Sequence, residues 1–433
     1  MEAILATLAV AMLLMLLSGA SMGAGMGLAG FALIYIFKPG AEQVLLSAVL
    51  NIFSSFAYTA IPLFILMGEL IVHGGFTNRF FRLIAPAVRF VPGSFCQSIV
   101  VMSVAVASVS GSSTAGCAAV SAAIYPELKR RGFRSEAVAA CMAGAGTLGI
   151  LIPPSITLLL YGAWQEVSIG RLFLAGVVPG ILAALCFMIY VGAHRSAFVP
   201  PDRAPQTEEN IRPQAADWWA CLGMAIILAA VLGSIYAGIA TPTEAAGMGV
   251  LAALFAGLTL ADLRRRTLRV ALRRSVVNFA SLKFVFIGSI ILTQAVTLLG
   301  VPRYVVAEVL ALELSPAVLM MAIMAMYLLL GCLFDGISMM VITLPFIAPI
   351  MKTLGYDPVW LGVFITIMIE IGAITPPFGV NLFVVKSVLG SDVTMGRLSL
   401  YAIPYWGILL AVVVLAIPFP ELMLALPNLV MGN

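Results

Sequence analysis

The sequence predicts an all-α integral membrane protein made of two inverted-topology repeats, each with five transmembrane helices and one re-entrant hairpin. Three observations predict it: an extreme apolar composition, a one-sided distribution of basic residues, and a match of the chain to itself across its middle. Of 433 residues, 62% are hydrophobic and 10% charged, against roughly 45–50% and 25% for soluble domains. Apolar stretches able to cross about 30 Å of hydrocarbon recur from end to end, which leaves no room for a large soluble domain. The lipid bilayer is therefore the expected surrounding, and no nucleic-acid partner is expected.

Spans are expected at 3–18, 22–37, 56–73, 135–162, 170–193, 216–239, 243–260, 279–299, 358–386 and 399–418. The first has the length of a signal peptide. Glu2 stands where a basic leader would begin, however, and the apolar pattern runs on through residues 24–36, so it reads as a retained span. Two further apolar regions, about 94–127 and 315–350, are too long for one span and are broken near the middle by small polar residues. They read as hairpins that enter and leave on one side. With that arrangement 19 of the 23 Lys and Arg residues fall on one side of the membrane, and only Lys38, Arg171, Arg303 and Lys352 on the other. A misplaced span would scramble this split. The basic side is then cytoplasmic and both termini lie outside.

The polar segment 194–215, with Pro200, Pro201, Pro205 and Pro213, reads as a cytoplasmic linker between two halves, 1–193 and 216–433. Residues 261–278 interleave arginines with Leu and Val and read as an amphipathic helix in the cytoplasmic interface, a scaffold and lipid anchor. The six cysteines are scattered without CxxC spacing and read as small buried hydrophobes. Two histidines and no cysteine pairing make no zinc site. Without a Walker loop or GxGxxG motif the chain carries no nucleotide engine.

The halves match at an offset of about 222–225 residues. AGMG at 24–27 recurs at 246–249, SGSS at 110–113 faces DGIS at 335–338, LKRRGFR at 128–134 faces MKTLGYD at 351–357, and GILIPPS at 149–155 faces GAITPPF at 372–378. Five spans per half is an odd number, so the second half enters from the opposite face. That architecture is one that many secondary transporters use.

Chemistry is expected where each hairpin tip meets a broken span. In the first half Ser110, Gly111, Ser112, Ser113 and Thr114 pair with Gly149, Ile152, Pro153, Pro154 and Ser155. In the second, Gly331, Asp335, Gly336 and Ser338 pair with Glu370, Gly372, Thr375, Pro376, Pro377 and Phe378. A Pro-Pro inside a membrane helix removes amide donors and frees carbonyls. Bare carbonyls persist at such depth only where they line a cavity or bind an ion, so two cation sites are expected, one per half. Half-helix N-termini facing the space between them would suit an anion. Glu370 and Asp335 are candidates for the substrate or ion pathway, because charge within the membrane is rarely idle. Glu69 is a weaker candidate that could simply reach the interface. Thr241-Pro242-Thr243-Glu244 reads as a capping box with Pro at N1.

SGSSTA, GTLGILIPPS, TPTEAA, the acid-Gly tip and IGAITPPFGVNLF together resemble the large membrane (M) subunit of TRAP (tripartite ATP-independent periplasmic) transporters, DctM-like, over essentially the whole chain. The resemblance implies a bacterial inner-membrane permease working with a small membrane subunit of about four helices and a periplasmic substrate-binding protein. It implies import of an organic anion (a C4-dicarboxylate, keto acid or sialic acid) on two or more sodium ions by an elevator movement, and no enzymatic activity. Carried to matching positions, it implies one sodium site at Ser110, Ser113, Gly149, Ile152 and Pro154, and another at Gly331, Gly372, Thr375 and Phe378. Ser112, Thr114, Pro153, Ser155, Asp335, Gly336, Ser338, Glu370, Pro376 and Pro377 would line the substrate pathway. A stand-alone sodium–dicarboxylate symporter with similar hairpins is the nearest alternative, and a channel or scaffold subunit a more distant one.

Overall fold

The computed structural model describes residues 1–54, 56–93, 95–198, 212–332, 334–377 and 379–432. Every regular element among them is a helix. Seven helical segments are long and apolar enough to cross a membrane: Ser135–Gln165, Ile169–Ala193, Ala215–Tyr236, Pro242–Leu260, Arg265–Leu298, Gly336–Thr353 and Met395–Ala416. The pair Ala60–His73 and Phe76–Ala87, bent by 62°, makes an eighth if taken together. Ten spans were expected. Glu2–Ser18, Met22–Phe37 and Pro358–Ile374 lie where three of them were placed but have only 17, 16 and 17 residues. Gly336–Thr353 qualifies by length although the sequence assigns it to a hairpin. Short helices at Glu42–Ser54, Val301–Ala311 and Glu421–Met431 were not foreseen.

Both hairpins take the expected helix–tip–helix form. The first is Phe95–Ser110 and Ser113–Arg130, the second Pro316–Gly331 and Gly336–Thr353. Both Pro-Pro pairs interrupt helices: Ser135–Gly146 and Leu148–Leu151 end before Pro153-Pro154, and Pro358–Ile374 ends before Pro376-Pro377. The chain resumes as Ile156–Gln165 and Val380–Leu389, and both Pro-Pro bonds are cis. Residues 199–211, most of the expected linker, lie outside the described residues, as does Phe378.

The amphipathic segment 261–278 is not a separate interfacial helix. Arg265–Leu298 is one helix of 34 residues that contains both it and the expected span 279–299. Nothing between them breaks a helix: Val276-Val277-Asn278-Phe279-Ala280 contains neither Gly nor Pro. Its apolar end packs on Met22–Phe37 through small residues. A Cβ at Gly288 would lie 1.9 Å from the Gly23 carbonyl oxygen, and one at Gly30 2.7 Å from Leu292 Cα. Small residues let membrane helices approach backbone to backbone in this way, where no hydrophobic force distinguishes helix from lipid.

The broken spans occupy the centre. In the apolar window of Ser135–Gln165, 83% of residues are buried, against 28% in that of Arg265–Leu298. The two broken spans touch directly: Tyr161 Oη donates to the Pro358 carbonyl at 2.7 Å. Ties also cross between the halves. Tyr125 and Lys129, on the outer arm of the first hairpin, donate to Asp392 of the loop after the second broken span at 2.7 and 2.5 Å. Lys129, then Tyr125, hold the Asp392 carboxyl below the usual carboxylate range, so this tie is present at neutral pH and lost as acid protonates it.

Short helix Phe76–Ala87 is fixed against other elements by ion pairs. Arg82 meets Asp217 at 2.6 Å and Arg79 meets Asp262 at 3.0 Å. Asp217 is fully buried and also accepts from the Gln214 amide at 3.0 Å as part of a capping box. The expected capping box at Thr241 is formed too, with Glu244 accepting from the Thr241 amide at 2.8 Å. Replacing Asp217 by Ala is expected to destabilise the protein by about 1–3 kcal/mol. That is below the roughly 3–5 kcal/mol of a fully buried pair because Arg82 keeps contact with water. Asp262→Ala, at an exposed pair, should stay near wild type in the same melting experiment.

Candidate functional site

Each tip lies on the break of its own half. At the first tip Gly111 has φ +60°, a left-handed turn that glycine makes without a Cβ clash. A Cβ there would also meet the Pro154 carbonyl oxygen at 2.9 Å. The Gly111 carbonyl accepts from the Ile156 amide at 3.3 Å, so one hydrogen bond seals tip to break. Ser112 caps the helix that follows, accepting from the Ala115 amide at 3.4 Å, and its hydroxyl lies 3.2 Å from that of Thr114. Ser110 donates to the Ser112 carbonyl at 3.2 Å. Across the break Ser155 caps the resumed helix through the Leu158 amide at 3.2 Å. Gly149 lies against Ser113: a Cβ on it would sit 3.2 Å from Ser113 Cα.

The second tip repeats the contact with different residues. Asp335 replaces serine as the cap, accepting from the Ser338 amide at 3.1 Å and from the Ser338 hydroxyl. Gly331 and Gly372 meet backbone to backbone, a Cβ on Gly331 lying 2.6 Å from Gly372 Cα. Cys332 Sγ reaches the Pro376 carbonyl oxygen at 3.3 Å. Thr375 donates to the Ile371 carbonyl at 2.6 Å, and its own carbonyl accepts from the Gly379 amide at 3.0 Å.

One cavity of about 1480 Å³ joins the two tips. Ser110, Gly111, Ser112, Ser113 and Thr114 of the first tip line it, together with Gly331, Asp335, Gly336 and Glu370 of the second half. Gly149, Ile152, Pro153, Pro154, Ser155, Ser338, Gly372, Thr375, Pro376 and Pro377 are not in its lining. The first break lies buried behind its tip, whereas Thr375 and Pro376 are half-buried and Pro377 is exposed. The breaks are thus similar in backbone form and unequal in exposure.

The far wall is formed by Ala60–His73 and Arg265–Leu298, and it holds residues that the sequence did not group. Glu69 is buried within the protein. It accepts from Asn278 Nδ2 at 2.8 Å, and His73 Nδ1 lies 3.1 Å from its Oε2. Arg273 and Arg274, assigned by sequence to an amphipathic helix in the cytoplasmic interface, line the same cavity. Gly68 brings this wall onto the first tip, since a Cβ there would lie 2.9 Å from Ser110 Cα. The i,i+4 spacing of Glu69 and His73 was visible in the sequence; their meeting with Asn278 needs the tertiary fold. Among the described residues no group of three or more His, Cys, Asp or Glu side chains forms a metal site. The oxygen donors at the tips are hydroxyls, backbone carbonyls and, at the second tip, the Asp335 carboxylate.

Two broken apolar helices, each covered by a polar hairpin tip on a shared cavity, define a membrane transport protein. The chain belongs to the family of the DctM component of tripartite ATP-independent periplasmic transporters, whose model matches residues 9–422. It is similar to the C4-dicarboxylate TRAP transporter large permease protein DctM of Pseudomonas aeruginosa, with 33% identity over 93% of each chain. It is also similar to the sialic acid TRAP transporter large permease protein SiaM of Vibrio cholerae, with 28% identity over 95% of this chain and 96% of the relative. Among solved structures the Alcanivorax borkumensis YdaH transporter matches with a TM-score of 0.61 at 16% identity, over 90% of this chain and 91% of that one. That likeness is one of fold.

The glycine contacts give a direct check. Gly331→Ala should lower the melting temperature, by about 1–3 kcal/mol of overpacking, because its new Cβ meets backbone that cannot move aside. Gly396→Ala, with nothing within 4 Å of the added carbon, should melt as wild type does.

Proposed function

We propose that this chain is the permease subunit of a sodium-driven, binding-protein-dependent secondary transporter that imports small organic anions. The observation that carries the proposal is the single cavity onto which both tips converge, in a chain of the DctM family. Two relatives are named for C4-dicarboxylate and sialic acid, both anions, and another for ectoine, a zwitterion that also carries a carboxylate; these names support a small carboxylate-bearing substrate. Its partners are a small membrane subunit and a periplasmic binding protein, and its place is the bacterial inner membrane.

The four matched segments and the paired tip–break contacts support an inverted-repeat organisation. Sodium, as co-transported cargo, suits the donors present. Ser110, Ser113 and Thr375 offer hydroxyl oxygens, and the interrupted ladders at 149–154 and 372–377 offer carbonyls, all hard ligands. Ser110, Ser113, Gly149 and Pro154 converge at the first tip, and Gly331, Gly372 and Thr375 at the second. Ile152 joins the first group through its backbone alone, because its side chain packs on Gly180 of the next helix. Arg273 and Arg274 stand toward the arginine-rich end of Arg265–Leu298 and line the cavity; the basic-residue split puts that end on the cytoplasmic side, which supports a cavity open inward and periplasmic termini. The tips and broken spans then carry the anion between faces as a body, in an elevator movement. Two sodium ions with one monoanion move one net charge, worth about 2.3 kcal/mol per 100 mV of membrane potential.

The test is uptake of a labelled dicarboxylate and of sialic acid into proteoliposomes holding this chain and its small subunit. Uptake that needs both binding protein and a sodium gradient is expected. Sodium-driven uptake without binding protein would favour the stand-alone symporter, and flux that never saturates a channel. Thr375→Val and Ser110→Ala are each expected to raise the sodium concentration needed for half-maximal uptake. Unchanged sodium dependence in both variants would sink the site assignment.

A further inference from the structure

The far wall of the cavity carries two positive charges that have no counter-ion among the described residues. Residues of Arg265–Leu298 line the cavity from Val270 to Val285 in rows three or four apart, the spacing of one helix face. Arg273 and Arg274 stand on that face, are exposed, and make no hydrogen bond or ion pair among the described residues. None of the three acids in the lining takes them. Glu69 accepts from Asn278 and lies beside His73, Asp335 caps Gly336–Thr353, and Glu370 is 2% exposed and bonded to nothing. The neighbouring Arg264, Arg265, Arg266 and Arg269 are exposed too but are not in the lining.

The first tip gives the arginines their level. Gly68 abuts Ser110, and Glu69, next in the chain, holds Asn278 at 2.8 Å. Asn278 therefore marks the height of that tip on the far wall. Arg274 stands one turn from Asn278 toward the arginine-rich end of its helix, about 6 Å along the axis. Ser113–Arg130 leaves the tip along the same cavity with alanines at 115, 118, 119, 122 and 123. An anion that leaves the tips by this route passes an uncharged wall and meets the two guanidinium groups next. Guanidinium is permanently charged, and its planar fork of N–H donors matches a carboxylate. Two such groups side by side repel each other, and an anion between them relieves the repulsion.

We propose that Arg273 and Arg274 form an exit site for carboxylate, fixed to the far wall one turn cytoplasmic of the tips. This rests on the permease reading above and adds to it a second position where the anion is held. The site needs no sodium, because guanidinium supplies its charge in place of cations bound at the tips. It draws the anion off the tips and so quickens release, and carboxylates already in the cytoplasm compete for it.

Succinate binding to the full-length chain with its small subunit tests this, read by saturation-transfer NMR in phosphatidylcholine nanodiscs and sodium-free potassium buffer. Wild type should bind, and Arg273→Gln combined with Arg274→Gln should bind at least about tenfold more weakly. Arg266→Gln combined with Arg269→Gln removes the same charge outside the cavity and should bind as wild type does. Both double variants should melt with wild type, since every altered side chain is exposed. Wild type that binds no succinate without sodium, or an equal loss in both double variants, would overturn the proposal. Adding phosphatidylglycerol to the nanodiscs should leave binding in place; its abolition would overturn the proposal in favour of a lipid-phosphate site. In the uptake assay the Arg273–Arg274 variant should transport more slowly with its half-saturating sodium unchanged. A raised sodium requirement would also overturn the exit site, by tying the arginines to the sodium sites. Wild type without any uptake would strike the permease reading alone, because succinate binding is read without flux.

Discussion

Everything at the centre of this protein depends on one constraint: a backbone carbonyl or amide released inside the membrane must find a partner within the protein. Pro153-Pro154 and Pro376-Pro377 each interrupt a helix at depth, and each interruption is met by a hairpin tip. Ser155 and the Gly111 carbonyl take amides after the first break; the Thr375 carbonyl takes one after the second. The glycines follow from that need. A tip can seal a break only if the backbones nearly touch, as Gly111 does at Pro154 and Gly331 at Gly372. Breaking a helix, covering it and lining a cavity are thus one structural act, repeated with serine as the cap in one half and aspartate in the other.

The periphery solves a different problem. Gly23, Gly288 and Gly30 let Met22–Phe37 and Arg265–Leu298 lie backbone against backbone, while Arg82 and Asp217 fix the short helix that leads to the first hairpin. The cavity wall is built from this outer frame, so that Glu69, His73 and Asn278 face tips that belong to the interior. Polar groups of the frame and of the interior thereby line one cavity.

Much of the site was legible in the sequence because its parts are local. Pro-Pro inside an apolar run, a glycine at a turn, and a Ser or Asp cap two or three residues before its amide can each be read from a few neighbours. The tips and breaks therefore fell where expected, and Ser110 through Thr114 line one cavity with Asp335 and Glu370. What could not be read depends on distant partners. Hydropathy alone separated residues 261–278 from the span that follows, although no residue between them ends a helix. Arg273 and Arg274 looked like an interface pattern, and only the packing of Arg265–Leu298 turns them to the cavity. The bond from Asn278 to Glu69 joins residues 209 positions apart, and no spacing rule reaches that far. Span number suffered from the opposite weakness: helices of 16 or 17 residues fall at the length threshold, where composition cannot decide.

The tie of Tyr125 and Lys129 to Asp392 has a mechanical consequence. It fastens the outer arm of the first hairpin to the loop beyond the second broken span, and Ser113 repeats the link deeper in, at Asn381. Two latches at different depths resist both sliding and twisting of one half against the other. A displacement of the first hairpin is therefore felt at the second broken span and at the loop beyond it.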